Sequence, residues 1–329
     1  MSNNKKIIKY SEGIREGFEY LLSNYEEVCL MGQGLWSPWY VGNTMNDLEK
    51  QFGKERILDT PVSENSTTGM ALGAALTGLK TVVVHPRMDF MILASDQIVN
   101  QASKWQSMLG GGIELPLTIR GIINRGGEQG AQHSQALQSW YAHIPGLRVV
   151  MPSTPLDARD LLISSVLCND PVLYIDDRWC YDEEEEYLPP KEIKLQNVTP
   201  TLLNKGGDLT IVSSSYATLL SKLAIDDLKE EGINIDLIDL RVLNPLNIDL
   251  ACESVQKTGR LLAVDGGWLN YGVSAEIIAS ISEKVEIKNC LPQRLALKSS
   301  PAPTSKYLEE EYYLNKDDII QKVLSMLKS

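Results

Sequence analysis

Residues 57–85, ILDTPVSENSTTGMALGAALTGLKTVVVH, read as strand, helix and strand in close succession. ILDT is a short apolar run stopped by Pro61. TGMALGAALTG is rich in small helix formers, and LKTVVVH is β-branched. Two strands joined through a helix pair in parallel, because a tight hairpin is ruled out by the crossover. This unit sets the expectation for the rest of the chain.

The same alternation continues outward. Upstream, residues 6–24 carry helical apolar spacing, EEVCLMG (26–32) reads as a buried strand, and TMNDLEKQFG (44–53) as an amphipathic helix with Gly53 as its C-cap. Downstream, MDFMILASDQIVNQASKWQSM (88–108) predicts one long helix. LPLTIRG, LRVVMPS (147–153) and DPVLYID (170–176) predict strands, and LDARDLLISSVL a helix. The expected fold is α/β with a doubly wound sheet.

Composition shifts at YDEEEEYLPPKEIKLQ (181–196), acidic, proline-bearing and apolar-poor, which reads as an exposed connector with a solvated charge run. A second α/β set follows: DLTIVSSS, INIDLIDLR and RLLAVDGG as strands, with YATLLSKLAIDDLKEEG, LACESVQKTG and VSAEIIASISEK as helices. The expected division is a first domain over residues 1–190, a linker over 191–206 and a second domain over 207–329. A length of 329 residues suits two such cores.

Charge and composition exclude several classes. With 31 basic against 43 acidic side chains the net charge is −12, which disfavours a nucleic-acid partner. No apolar run approaches the ~18 residues of a membrane span. MSNNKKIIKYSEG lacks the apolar core and cleavage site of a signal peptide. Five scattered cysteines without CxxC spacing fit reduced thiols in a cytoplasm.

Familiar site motifs are missing: no GxGxxG after a strand, no GxxxxGK[ST], no GxSxG. The glycines of GMALGAALTG fit close helix packing. Three histidines, His85, His133 and His143, show no metal-ligand spacing. His133 lies in INRGGEQGAQHSQALQSWYAHIPGL, an irregular loop after a strand with a helix expected from about Ser134; by itself it either serves a ligand at the sheet edge or simply caps and packs. His85 is ambiguous, and Glu64 standing alone is either a functional carboxyl or a helix N-terminal acid.

Taken together, DTPVSE, MDFMILASDQIVNQASKW, GAQHSQALQSWYAHIPGL, RVVMPSTPLDA and NDPVLYID resemble the β subunit of thiamine-diphosphate-dependent 2-oxo acid dehydrogenases, the decarboxylating component of pyruvate, branched-chain and acetoin complexes. The likeness is dense over about 26–176 and runs on through DLRVLNPL, VDGGWLNYGVSAEI and SSPAPTSKYLEEEYYL. It implies a transketolase-like pyrimidine-binding domain followed by a transketolase C-terminal-type domain. It also implies roles. The family's cofactor needs one buried carboxyl against its pyrimidine nitrogen, to drive the tautomeric shift that activates its thiazolium carbon. Glu64 matches that position, and burial in an apolar site would favour a shared proton there. Phe90 matches the aromatic packed on the pyrimidine ring. His133 matches the active-site histidine near the reacting carbonyl and the lipoyl acceptor, and histidine as a residue type, with an unperturbed pKa near ~6.5, suits neutral-pH proton transfer.

The family's GDG…NN element for diphosphate and Mg²⁺ has no counterpart here, since VDGGWLN carries the wrong residues. The resemblance therefore implies an α subunit that holds the diphosphate and Mg²⁺, thiamine diphosphate shared between the two, an α2β2 assembly and a dihydrolipoyl acyltransferase core. A monovalent cation such as K⁺ would lie near Ser165, Val166, Cys168 and Asp170. One departure stands out. Where relatives place a glutamate, GQGL (32–35) has Gln33, an amide that cannot carry a proton between paired sites. WSPWY (36–40) then adds two tryptophans. Two other readings share these features: the C-terminal half of a split transketolase-like ketol-transferring enzyme, and a non-catalytic assembly subunit.

Overall fold

The structure, a computed structural model, describes residues 6–328; the first five residues of the N-terminal stretch discussed above, and Ser329, lie outside them. The chain forms two compact units. One holds the residues up to Arg125 together with Trp140–Val198. The other holds Gly126–Ser139 together with the residues from Thr199 onward.

In chain order the first unit contains β1 (Ile7–Lys9), α1 (Tyr10–Asn24), β2 (Val28–Gly32), α2 (Leu48–Phe52), β3 (Ile57–Asp59), α3 (Glu64–Leu76) and β4 (Lys80–His85). After α4 (Ser103–Met108) and β5 (Leu117–Ile123) the chain reaches α5 (Gln138–Ala142), of which Trp140–Ala142 belong to this unit. Then come β6 (Arg148–Val150), α6 (Pro155–Val166), β7 (Val172–Asp177) and β8 (Glu184–Glu186). Within this unit six strands pair in parallel in the order β6-β7-β5-β4-β2-β3. From β2 the chain goes to β3 on one side and then to β4 on the other. The winding therefore reverses between β2 and β4.

Burial explains the sheet. Every residue of β5 is buried, as expected of a strand covered on both faces. Its one charge, Arg120, is matched: Nε and Nη2 donate to the two oxygens of Asp176 on β7 at 2.9 and 2.7 Å, and Nη1 donates to Thr44 Oγ1 at 2.9 Å. Removing one partner of such a fully buried pair costs about 3–5 kcal/mol. Helices α1 and α6 approach closely at Gly13, where a Cβ would lie 2.5 Å from the Pro155 carbonyl oxygen. α6 starts on a Thr154 cap, whose Oγ1 accepts the Asp157 N–H, followed by Pro155.

Four expectations change here. Residues 7–9, expected in the first helix, are strand. They pair with Glu184–Glu186 of the acidic run, which is therefore not merely a solvated connector. Alternation lets that run stay half wet while Glu185 accepts the Leu156 N–H at the positive end of α6 and Asp182 pairs with Lys9. The helix expected over 44–53 shrinks to Leu48–Phe52, because Asn43 and Asp47 take left-handed φ values of 63° and 59°. Residues 88–108 form a 3₁₀ turn (Met88–Ala94), a π segment (Asp96–Ala102) and α4 instead of one α-helix. Apolar spacing reports a helical face and not its pitch, and here Ser95 and Ser103 hydroxyls bond back to Ile92 and Val99 carbonyls. The helix expected from Ser134 starts only at Gln138.

The second unit contains β9 (Thr201–Asn204), β10 (Leu209–Ser213), α7 (Tyr216–Glu230), β11 (Ile235–Asp239), β12 (Val242–Asn244), α8 (Asp249–Thr258), β13 (Leu261–Trp268), α9 (Val273–Lys284), β14 (Gln293–Leu297), α10 (Lys306–Tyr312) and α11 (Lys316–Leu327). Its sheet runs β14-β13-β10-β11-β9, parallel except for β9 against β11. Residues 201–204, placed in the linker from sequence, thus supply its edge strand. The core packs α7 and α11 on β10 and β11 through Leu209, Ile211, Ala224, Leu228, Ile319 and Val323. All five cysteines are unpaired thiols, four of them buried. Among the described residues no helix is long and apolar enough to cross a membrane.

Candidate active site

The carboxyl ends of β2, β3 and β4 lie side by side, since Gly32 registers with Asp59 on one side and Val84 on the other. They border the point where the winding reverses, which is where ligands enter open α/β sheets. Gln33 follows β2 directly. Its turn is fixed from β3: Asp59 Oδ1 accepts the N–H of Gly34 at 2.6 Å and of Leu35 at 3.3 Å, and Trp36 Nε1 donates to the Ile57 carbonyl at 2.9 Å. Gly34 has φ +66°, and a Cβ there would lie 2.2 Å from the Tyr40 ring, so only glycine fits.

Glu64 is the first residue of α3 and only 6 % exposed. The helix dipole favours its charge. Gln33 Nε2 donates to Glu64 Oε1 at 3.0 Å, while Oε2 accepts nothing from the described residues. One helical turn on, the Thr68 hydroxyl shares a 3.1 Å hydrogen bond with His85 Nε2 at the end of β4. Burial pushes the His85 imidazole down to about 4, against the opposing pull of the Glu64 carboxylate. His85 is therefore neutral at pH 7. Gln33, Glu64, Thr68 and His85 form one polar group in an apolar sheet edge.

Phe90 stands on the 3₁₀ turn that packs on α3, and the residue is 37 % exposed. Asn124, just past β5, donates to the Pro86 carbonyl at 3.0 Å and holds the start of this segment. Glu64 and Phe90 thus come from adjacent elements of the first unit. His133 does not join them there. It is half-buried in the Gly126–Ser139 segment that folds with the second unit, its N–H donating to the Gly130 carbonyl.

The residues named for a monovalent cation are otherwise engaged. Ser165 Oγ donates to the Leu161 carbonyl, and Cys168 Sγ accepts from Gln196 Nε2 at 3.7 Å with burial pushing the thiol up. Asp170 pairs with Arg148 at 2.6 Å, so its charge is already met. Val166 ends α6. Among the main-chain carbonyls there, those of Ser165 and Asn169 already accept the N–H groups of Cys168 and Leu115.

Sequence reasoning singled out Glu64, Phe90, His133 and Gln33 but not the bond between Gln33 and Glu64, nor the place of His85. The signal for His85 was its position at the end of TVVVHP, a strand that must be parallel. Comparison with known proteins finds two family descriptions along the chain. The family description "Transketolase, pyrimidine binding domain" matches residues 6–178, and "Transketolase, C-terminal domain" matches 201–319. The chain is 36 % identical over 303 residues to the pyruvate dehydrogenase E1 component subunit beta of Porphyra purpurea, spanning 92 % of this chain and 91 % of that one. It is 30 % identical over 335 residues to the acetoin:2,6-dichlorophenolindophenol oxidoreductase subunit beta of Bacillus subtilis (strain 168), spanning 98 % of each. A solved structure titled "Split gene transketolase, inactive beta4 tetramer" superposes with TM-score 0.79 over 98 % of both chains at 19 % identity, a likeness of fold. With its full-length relatives and both domains in place, the chain belongs to the transketolase-like family of E1 β subunits of 2-oxo acid dehydrogenases.

Proposed function

We propose that this chain is the β subunit of a heteromeric enzyme that decarboxylates pyruvate or a similar short 2-oxo acid and passes the acyl group to a lipoyl carrier. The observation that carries the reading is Glu64: a buried carboxyl at the reversal point, with one oxygen held by Gln33 and the other without a donor among the described residues. That is the donor set a pyrimidine nitrogen requires, and the half-exposed Phe90 ring offers an apolar surface beside it. Thiamine diphosphate, when bound, supplies the nucleophilic carbon. Glu64 holds or releases the proton at the ring nitrogen, Gln33 orients it, and His133 donates or accepts a proton at the substrate carbonyl and during acyl transfer.

The chain has no GDG…NN element, so an α subunit supplies the diphosphate and Mg²⁺ contacts, in an α2β2 tetramer that docks to an acyltransferase core. Exposed apolar side chains fit such assembly, among them Tyr271 at 95 % exposure in the second unit and Met70 on α3. Obligate contacts of this kind commonly bury more than ~2,000 Å². Sedimentation and turnover of the chain with and without an α subunit carrying that element test the reading. The expected result is an inert chain alone, and a decarboxylating tetramer stable at nanomolar concentration after mixing. Decarboxylation by the contaminant-free chain, or a stable αβ heterodimer, sinks it. Ketol transfer between sugar phosphates by the mixture selects the split-transketolase reading instead.

A further inference from the structure

The loop that carries His133 is unusual in its backbone. Gly126, Gly127, Glu128 and Gly130 all take left-handed φ, between 59° and 72°. Three are glycines and bear this at little cost, but Glu128 is not, and a strained non-glycine residue persists only where its surroundings hold it. What holds it comes from the far end of the chain. Both carboxylate oxygens of Glu309 on α10 accept the Glu128 N–H at 3.1 Å, and Glu309 is buried. In return Glu128 Oε1 accepts the N–H of Lys306, the first residue of α10. Beside this clasp Gly130 lies against Thr304, where a Cβ would come within 2.4 Å of Cγ2.

The other end of the loop is pinned as well. Gln138 Nε2 donates to Asp265 Oδ1 on β13 at 2.8 Å. Asp265 is buried, and it is held in turn by the N–H groups of Gly267 at 2.9 Å and Ser274 at 3.2 Å. Asp265 belongs to VDGGWLN, a stretch that carries no cofactor element. Residues 129–137, His133 among them, are therefore anchored at each end to a carboxylate of the second unit.

The geometry points to Glu309 and Asp265 as positioning residues for His133, which makes the second unit part of the acyl-transfer machinery. The consequence for rate rests on the role proposed for His133, whereas the clasp itself does not. Hydrogen exchange of the full-length chain tests the clasp without any cofactor. Glu309→Leu, which removes the acceptor at similar volume, should speed exchange of the 127–137 amides about tenfold, the order expected for losing one charge-assisted bond. Amides of β10 and β11 should stay as protected as before. If Glu309→Leu loosens the whole unit, Glu309→Gln and Asp265→Asn are judged by the same criterion. Unchanged exchange over 127–137 in the variants that keep β10 and β11 protected overturns the clasp.

The second readout is the reconstituted complex. Glu309→Gln should lower turnover with a lipoyl acceptor several-fold more than turnover with an artificial oxidant, and adding His133→Ala should cause no further change in that ratio. A loosened loop with an unchanged ratio overturns positioning for catalysis, and it removes the proposed role of His133 while leaving that of Glu64 standing.

Discussion

Glu64 and His133 are placed by opposite means. Glu64 stands where a strand end meets a helix start, with its position set by β3, α3 and the ladder beneath them, and its one added bond comes from the turn after β2. His133 sits in a glycine-rich segment with no regular structure of its own, fixed by carboxylates that lie more than a hundred residues further along the chain. The difference teaches where tolerance lies. A residue placed by secondary structure moves only if the domain unfolds, while one placed by a clasp can be lost with the fold intact.

The sharpest test of the first half is Glu64→Gln in the assembled enzyme. An amide cannot supply the carboxyl proton, so turnover should fall ~100-fold or more with circular dichroism and melting little changed. Near-normal turnover with cofactor bound would mean that the carboxyl has been wrongly assigned. His85 gives a test of the same site through stability alone. Its imidazole is neutral when folded, titrating at about 4, and takes up a proton below ~6.5 when unfolded. Stability is therefore lost as pH falls below 6.5, by about 2 kcal/mol at pH 5, and the loss stops growing once the folded pKa is passed. Between about pH 8 and about pH 5, denaturant titrations of the chain should lose about that amount more than those of His85→Gln; parallel pH dependences would show that His85 is not held neutral.

For the clasped half, His133→Ala should slow transfer to the lipoyl acceptor by about tenfold, and slow turnover with an artificial oxidant less. Equal rates in the overall assay would return His133 to a packing role. The smallest effect is expected at Gln33. Gln33→Leu removes one side-chain hydrogen bond, roughly 1 kcal/mol net, so a several-fold loss in turnover is expected with the cofactor still bound. Gln33→Glu sets a second carboxyl about 3 Å from the first, where the two share one proton, and the acid limb of the rate profile should move to higher pH. Because an amide cannot relay a proton, we expect the paired sites of the tetramer to activate independently. Half-of-sites activation on cofactor titration would contradict this.

How much of this was legible follows the same division. The β3–α3–β4 unit could be read from Pro61, the small residues of α3 and the β-branched run after Leu79, because each is a local cause. The alternation of the second unit was equally plain from RLLAVDGG and VSAEIIASISEK. What local pattern could not convey was pitch and pairing. Residues 88–108 keep an apolar stripe through 3₁₀, π and α geometry alike, and the acidic strand Glu184–Glu186 owes its form to β1 and to the start of α6. The links from Glu128 to Glu309 and from Gln138 to Asp265 leave no mark in sequence spacing, since each partner alone reads as an ordinary surface acid or helix residue.

Synthesis gives the Glu128–Glu309 link a second meaning. A ribosome makes the first unit's strands, and the Glu64 site with them, well before it reaches α10. At the usual ~5–20 residues per second, the segment around His133 waits roughly 10–40 s for its partner to emerge. During that interval a nascent chain can hold the carboxyl end of its chemistry in order while the histidine segment is still loose. The Glu64 end of the chain is therefore ordered before the segment around His133, and a chain truncated before Lys306 would lack the partner that Glu128 finds in α10.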